Sequence, residues 1–367
     1  MRKYFGTDGI RRIANTELTP ELVYKVAKAG AYVLSKHTDH APTIFIGRDT
    51  RISGTLIESA MTAGFLSYGA NVKMLGVMPT PAVAYLTKKF KADASVVISA
   101  SHNTFEFNGV KYFSNKGMKI PDELEEEIEE VMDSGKINEL TAVNDKIGTS
   151  EIATELLDEY VYFFRKNFEE DLERLNRDDF VVAVDTANGA TSVVADKVFT
   201  VLGIKHHILN DSPNGININD GCGSTHLEML KQYVIDKKCS LGIAYDGDGD
   251  RCLAVDENGN EIDGDKIIAI ISQYLKSKGK LNKDTIVATV MSNLGLNKYA
   301  KQNELNFVQT KVGDRYVLEE MLKNGYNLGG EQSGHVICLD YNPTGDGILT
   351  SLMIIRAILE QGKKASE

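Results

Sequence analysis

Cysteine is scarce in this 367-residue chain, and the four present, Cys222, Cys239, Cys252 and Cys338, never fall at a CxxC spacing. That argues against a zinc cluster, a redox dithiol or a disulfide framework, and points to a reducing, cytoplasmic setting. Long apolar runs are also missing: no window approaches the ~18 consecutive apolar residues of a membrane span. The N-terminal MRKYFGTDGIRR starts basic but has no apolar stretch behind it, so no signal peptide is expected. Positive charge is in deficit, with 41 Lys and Arg against 52 Asp and Glu, a net charge of −11. Nucleic acid and anionic membranes are therefore not expected as partners, although a locally basic site could still take a small anion.

What is present reads as an ordinary soluble globular chain, 42% hydrophobic and 25% charged. At ~100–200 residues per domain, its length suggests about two to four domains. Short β-branched runs recur, each followed by a helical pattern: TIFIGRD before SGTLIESAMTAGFLSYG, then NVKMLGV before AVAYLTKKF, then ASVVISA. A second series contains FVVAVDTANGA, KHHILN and SLGIAYDGDGD, and a third contains TIVATVM, NFVQT and HVICLD. Continuous apolar strands alternating with amphipathic helices predict an α/β chain of three consecutive αβα blocks with mixed, mostly parallel sheets. Thr19-Pro20 and Ser53 mark helix starts. The acid-rich DELEEEIEEVMDSG, residues 122–135, predicts a helix that buries Leu124, Ile128 and Val131 and turns its charges to solvent.

The most specific local signal is IAYDGDGDRCLAVDENG, where Asp246, Asp248 and Asp250 alternate with glycines. Three carboxylates brought together repel one another unless a cation compensates, and hard oxygen ligands suit Mg²⁺. A calcium EF-hand fails because its sixth position, which needs Gly, is Arg251, and because both flanks read as strands. An Asp-Gly hairpin turn explains one Asp-Gly step but not three spaced carboxylates followed by Arg.

In VVISASHNTFEFNGVKYF an apolar strand turns abruptly polar, placing Ser101 just beyond a strand end, where open α/β sheets present functional groups. A phosphorylated serine there would be a phosphoryl donor, with His102, Asn103 and Lys111 to orient it or exchange protons. Taken alone, the segment is better accounted for by local hydrogen bonding. In LGGEQSGHVIC, period two puts Glu331, Ser333 and His335 on one face of an extended segment, spaced for vicinal hydroxyls. Arg11, Lys311 and Arg315 lie in polar, glycine-containing loops, where cations suit phosphate as well as a solvated surface.

Together FGTDGIR, ISASHN, DGDGDR and GEQSGH, in this order and across essentially the whole chain, resemble the α-D-phosphohexomutase family. The resemblance implies domains at about residues 1–152 with the phosphoserine loop, 153–254 with the metal loop and 255–367 with the sugar loop. It implies Ser101 as the phosphoserine; Ser101, Asp246, Asp248 and Asp250 as Mg²⁺ ligands; and Arg11, His102, Lys111 and Arg251 around the transferred phosphoryl group. Glu331, Ser333 and His335 would hold the sugar, with Lys311 beside them. The implied reaction is an isomerisation through a bisphosphorylated sugar. GEQSGH with Gln332, and FGTDGIR, point to glucosamine 6-phosphate and glucosamine 1-phosphate, precursors of cell-wall amino sugars, and a homodimer is compatible.

Two positions depart from the family pattern: Thr104 follows SHN where Pro is usual, and Arg12 follows GIR where Gly is usual. Family members also carry a fourth domain with a phosphate-gripping loop. No such loop occurs before Glu367, so a truncated chain of reduced turnover is expected. The competing readings are a catalytically silent sugar-phosphate-binding protein, a phosphatase that hydrolyses its phosphoserine, and glucose or mannose phosphate specificity.

Overall fold

The structure, a computed structural model, describes residues 3–6, 8–36, 38–175 and 177–367; Thr7 of the FGTDGIR segment lies outside them. Two compact units emerge, residues 1–160 with 213–218, and residues 161–212 with 219–367.

The first unit runs β1 (Ile10–Ile13), α1 (Pro20–Ser35), β2 (Thr43–Arg48), α2 (Gly54–Tyr68), β3 (Asn71–Val77), α3 (Thr80–Phe90), β4 (Ala94–Ile98), β5 (Phe107–Ser114), α4 (Asp122–Asp133) and β6 (Ser150–Ile152). Its sheet has the order β1-β5-β4-β2-β3-β6. The strands β4, β2, β3 and β6 are parallel, whereas β5 runs antiparallel to both β4 and β1. Apolar periodicity does not single out β5, because it buries the polar Asn108 and Lys111, with Gly109, among its apolar residues. Thr19 caps α1 by accepting from the Leu22 amide at 3.3 Å, with Pro20 opening the helix. Ser53 precedes α2 without a capping bond, and its Oγ instead accepts from Asn108 at 2.9 Å. The core packs Val23, Val26 and Ala27 of α1 against Ile44, Ile46, Val96 and Ile98 of the sheet.

The acid-rich helix departs from the sequence expectation. Glu125 and Glu129 are buried rather than solvated, at 1% and 8% exposure. The Glu129 carboxylate accepts from the backbone amides of Lys3, Tyr4 and Phe5 at 2.7, 2.6 and 2.7 Å. Three amide donors stabilise a buried anion, so α4 anchors the N-terminal segment.

The helix α5 (Leu157–Glu173) begins in the first unit and ends in the second. There follow β7 (Val181–Asp185), α6 (Ala195–Val201), β8 (Lys205–Leu209), α7 (Glu228–Lys237), β9 (Leu241–Tyr245), β10 (Cys252–Asp256), β11 (Glu261–Ile262), α8 (Gly264–Ser277), β12 (Thr285–Thr289), α9 (Leu294–Gln302), β13 (Asn306–Thr310), α10 (Asp314–Asn324), β14 (Leu328–Gly330), β15 (Val336–Cys338) and α11 (Gly347–Gln361). The second unit holds two sheets, β11-β10-β9-β7-β8 and β13-β12-β14-β15, each mixed parallel and antiparallel. Among the described residues no helix is long and apolar enough to cross a membrane.

Candidate active site

In the first unit the end of β4 becomes a tightly held loop. Ser101 is 1% exposed and adopts a left-handed backbone with φ 51°, a conformation that costs a non-glycine residue energy unless its surroundings fix it. The fixing residue is Arg51, itself 1% exposed, which donates to the carbonyls of Ser101 at 3.0 Å, Asn103 at 2.8 Å and Phe107 at 3.0 Å, and to that of Thr104. Arg51 is charge-balanced by Asp49, whose Oδ2 lies 2.8 Å from its Nε and accepts from Ser99 Oγ at 2.5 Å. Ser99 Oγ in turn accepts from the Ser101 amide at 2.9 Å. Burial pushes the Asp49 carboxyl up, and the Arg51 guanidinium and the Ser99 hydroxyl oppose that rise. His102 places Nδ1 3.4 Å from Ser101 Oγ.

Also in the first unit, Arg11 pairs with Asp8, and Lys111 lies 3.1 Å from the same carboxylate. Burial opposes ionisation of Asp8, but Lys111, Arg11 and Lys119 outweigh it and hold the carboxyl well below the usual range.

In the second unit Asp246, Asp248 and Asp250 occupy the turn between β9 and β10, two strands buried along their whole length. All three are buried, and each offers a carboxylate oxygen within 4.8 Å of the others. A metal ion fits this donor set, because hard anionic oxygens converging at that separation need a cation between them. Arg251 donates its backbone amide to Asp246 at 3.1 Å and places Nε 4.0 Å from Asp250. Burial works against the Arg251 cation, yet Asp246, Asp250, Asp248 and Glu331 together raise its pKa. The turn is clasped through backbone contacts with α11: a Cβ on Gly347 would lie 2.6 Å from the Arg251 carbonyl, and one on Gly345 2.7 Å from that of Asp250. Only glycine permits such approach.

GEQSGH folds as a hairpin turn between β14 and β15, correcting the extended segment expected from period two. The Glu331 amide donates to the His335 carbonyl at 2.9 Å, and the Gly334 amide to the Glu331 carbonyl at 3.0 Å. In a turn the alternation no longer applies: Ser333 is exposed, Glu331 half-buried and His335 4% exposed. This turn rests on β10, the strand that follows the aspartates, the Cys252 amide donating to the Gly334 carbonyl at 3.0 Å. Glu331 accepts from the Gly313 amide at 3.0 Å. His335 Nε2 accepts from the Gly345 amide at 3.2 Å, which leaves the proton on Nδ1, and lies 3.9 Å from Asp314. Lys311 and Arg315 are instead engaged with Tyr316, at 5.8 and 5.1 Å from its ring, and Arg315 pairs with Glu319 at 3.1 Å.

Thus the first unit gathers Ser101 with His102, and Arg11 with Lys111, while the second gathers the three aspartates, Arg251, Glu331 and His335. Sequence reasoning missed Arg51, Asp49, Asp8 and Glu129. The signal within reach was DTR directly after the strand TIFIGR, two opposite charges, Asp49 and Arg51, at a buried strand end.

Models of the phosphoglucomutase/phosphomannomutase alpha/beta/alpha domains I, II and III match residues 2–139, 158–259 and 263–367. A phosphoglucosamine mutase of Acetivibrio thermocellus is 53% identical over 367 residues, which are 100% of this chain and 81% of that protein. Another, of Levilactobacillus brevis, is 51% identical over 368 residues, 100% of this chain and 80% of that protein. Among solved structures, a phosphoglucomutase/phosphomannomutase family protein of Burkholderia thailandensis superposes with a TM-score of 0.85 at 21% identity, covering 100% of this chain and 79% of that one. An Aspergillus fumigatus N-acetylphosphoglucosamine mutase, in complex with GlcNAc-6P and magnesium, gives 0.65 at 16% identity, covering 100% and 79%. At such identities these two structures speak to the fold.

Proposed function

Because the chain belongs to the phosphoglucomutase/phosphomannomutase family, we propose that it is a phosphoglucosamine mutase, interconverting glucosamine 6-phosphate and glucosamine 1-phosphate. The observation that carries the substrate is the 53% identity to a phosphoglucosamine mutase along all 367 residues.

Phosphorylated Ser101 is the donor in this reading. Its P–Oγ bond breaks as the sugar's C1 hydroxyl oxygen takes the phosphoryl group, and the hydroxyl proton passes to a base; the 3.4 Å from His102 Nδ1 to Ser101 Oγ supports His102 in that role. The resulting bisphosphorylated sugar turns end for end, its O6–P bond breaks as Ser101 Oγ takes the 6-phosphoryl group, and the proton taken up in the first transfer goes to the C6 oxygen, releasing glucosamine 1-phosphate. Arg11, Lys111 and Arg251 stabilise charge on the transferring oxygens, where most catalysis of phosphoryl transfer arises. Asp246, Asp248 and Asp250 would hold Mg²⁺, and the family resemblance adds phosphorylated Ser101 to the ligand set. When bound, Mg²⁺ supplies charge neutralisation at the phosphoryl oxygens. The hydroxyls of the sugar are bound by Glu331, Ser333 and His335, with Lys311 beside them, and the setting is cytoplasmic.

The test is a coupled assay for glucosamine 1-phosphate run alongside intact-mass detection of phosphate on Ser101. Turnover accompanied by phosphoserine is expected. Sugar-phosphate binding without turnover would favour a silent binding protein, and release of free phosphate in excess of isomerisation would favour a phosphatase.

A further inference from the structure

The cations of the first unit share one anion that their expected role in phosphate binding leaves unexplained. Arg11 on β1 pairs across to Gly109 on β5, and facing residues of an antiparallel pair project to the same side, so Arg11 and Lys111 share a face. A Cβ on Gly109 would lie 3.0 Å from Arg11 Cγ, so the bare glycine lets the Arg11 side chain lie flat across β5. Lys119, bridged through its backbone to Phe113, joins that face. Asp8 sits among the three, paired with Arg11, 3.1 Å from Lys111 and 3.8 Å from Lys119. Glu125 lies 3.9 Å from Lys119 on the buried side. The two lysine side chains are 7% exposed, while those of Arg11 and Asp8 are 23% and 27% exposed, so the cluster opens to solvent at the Arg11–Asp8 pair.

A carboxylate held by three cations occupies the place an incoming oxyanion would take. Glu129 fixes Lys3 to Phe5 through three amides, and the Gly6 amide donates to the Gly9 carbonyl at 2.8 Å, so the described backbone on both sides of Asp8 is held. We propose that Asp8 is a built-in counter-anion, competing with phosphate for Arg11, Lys111 and Lys119, and that Lys119 is a third phosphate-binding cation. The competition keeps the grip on phosphate weak. For the mutase reading, on which this catalytic consequence rests, a weak grip lets the bisphosphorylated sugar leave these cations and turn.

The decisive measurement is calorimetric titration with inorganic phosphate at fixed ionic strength, which needs no turnover. Removing a unit charge a few ångströms from the anion is expected to tighten binding in Asp8→Asn at least about ten-fold. The gain should vanish in Asp8→Asn/Arg11→Met, and Lys119→Met should weaken binding relative to the parent chain. Unchanged or weaker binding in Asp8→Asn would overturn the proposal, as would a gain that survives loss of Arg11. If Asp8→Asn does not fold, Asp8→Ser and Lys119→Met carry the test, and unchanged affinity in Lys119→Met overturns it. Absence of isomerase turnover would count against the mutase reading alone, since the phosphate series is decided by its own result.

Discussion

At the scale of single residues, the side chains whose chemistry is explicit in their type were legible, and those acting on backbone were not. Asp246, Asp248 and Asp250 announce themselves because clustered carboxylates have few other uses, and the structure brings their oxygens within 4.8 Å. Asp248→Asn should weaken divalent-cation binding at least about ten-fold by calorimetry, since even neighbours of metal ligands cost that much, and unchanged affinity would remove the triad from the site. Asp8 lies in a segment quoted for Arg11, but nothing in its type shows that three cations converge on it. Its carboxyl is held below its ordinary 3.8, so the stability it contributes is fully present above that pH and is lost as the pH falls toward its lowered value. The destabilisation caused by Asp8→Asn should therefore be complete at neutral pH and shrink on acidification below about pH 4. A destabilisation constant down to pH 2, measured by urea unfolding, would refute the ion-pair account.

At the scale of elements, loops are fixed from below by partners distant in sequence. The Ser101 loop depends on Arg51, roughly 50 positions earlier, whose guanidinium satisfies carbonyls that a sharp polar turn would otherwise bury unpaired. Replacing one member of a buried pair strands the other, so Arg51→Met should cost about 3–5 kcal/mol in urea unfolding, and a loss under about 1 kcal/mol would show that the pair carries little. The GEQSGH turn leans on the start of α8: a Cβ on Gly264 would lie 2.1 Å from the Glu331 carbonyl and 2.7 Å from the Gly334 amide. Gly264→Ala should then displace the turn and lower kcat/KM by up to about 100-fold while cation affinity stays unchanged; full activity would separate the turn from catalysis. Period-two reasoning failed for this turn because two glycines and a cross-turn hydrogen bond reverse the chain before an extended segment can form.

At the scale of the whole molecule, all four cysteines are free and buried, and burial raises every thiol, those of Cys222 and Cys338 to about 12. Native protein at mildly alkaline pH should leave all of them unmodified by a disulfide reagent and expose them as urea unfolds the second unit, which holds all four; rapid labelling without denaturant would contradict this packing. The sequence by itself determined the α/β class, the strand–helix alternation and the cluster of three aspartates, because hydrophobic period and residue chemistry are local properties. Only the tertiary structure decided that β5 enters the first sheet antiparallel, that an acid-rich helix buries Glu125 and Glu129, that Arg51 holds the Ser101 loop and that Asp8 meets Arg11 and Lys111. Those outcomes depend on which backbone groups and charges meet across long stretches of chain, and a buried polar group finds its partner through the fold rather than through its neighbours in sequence.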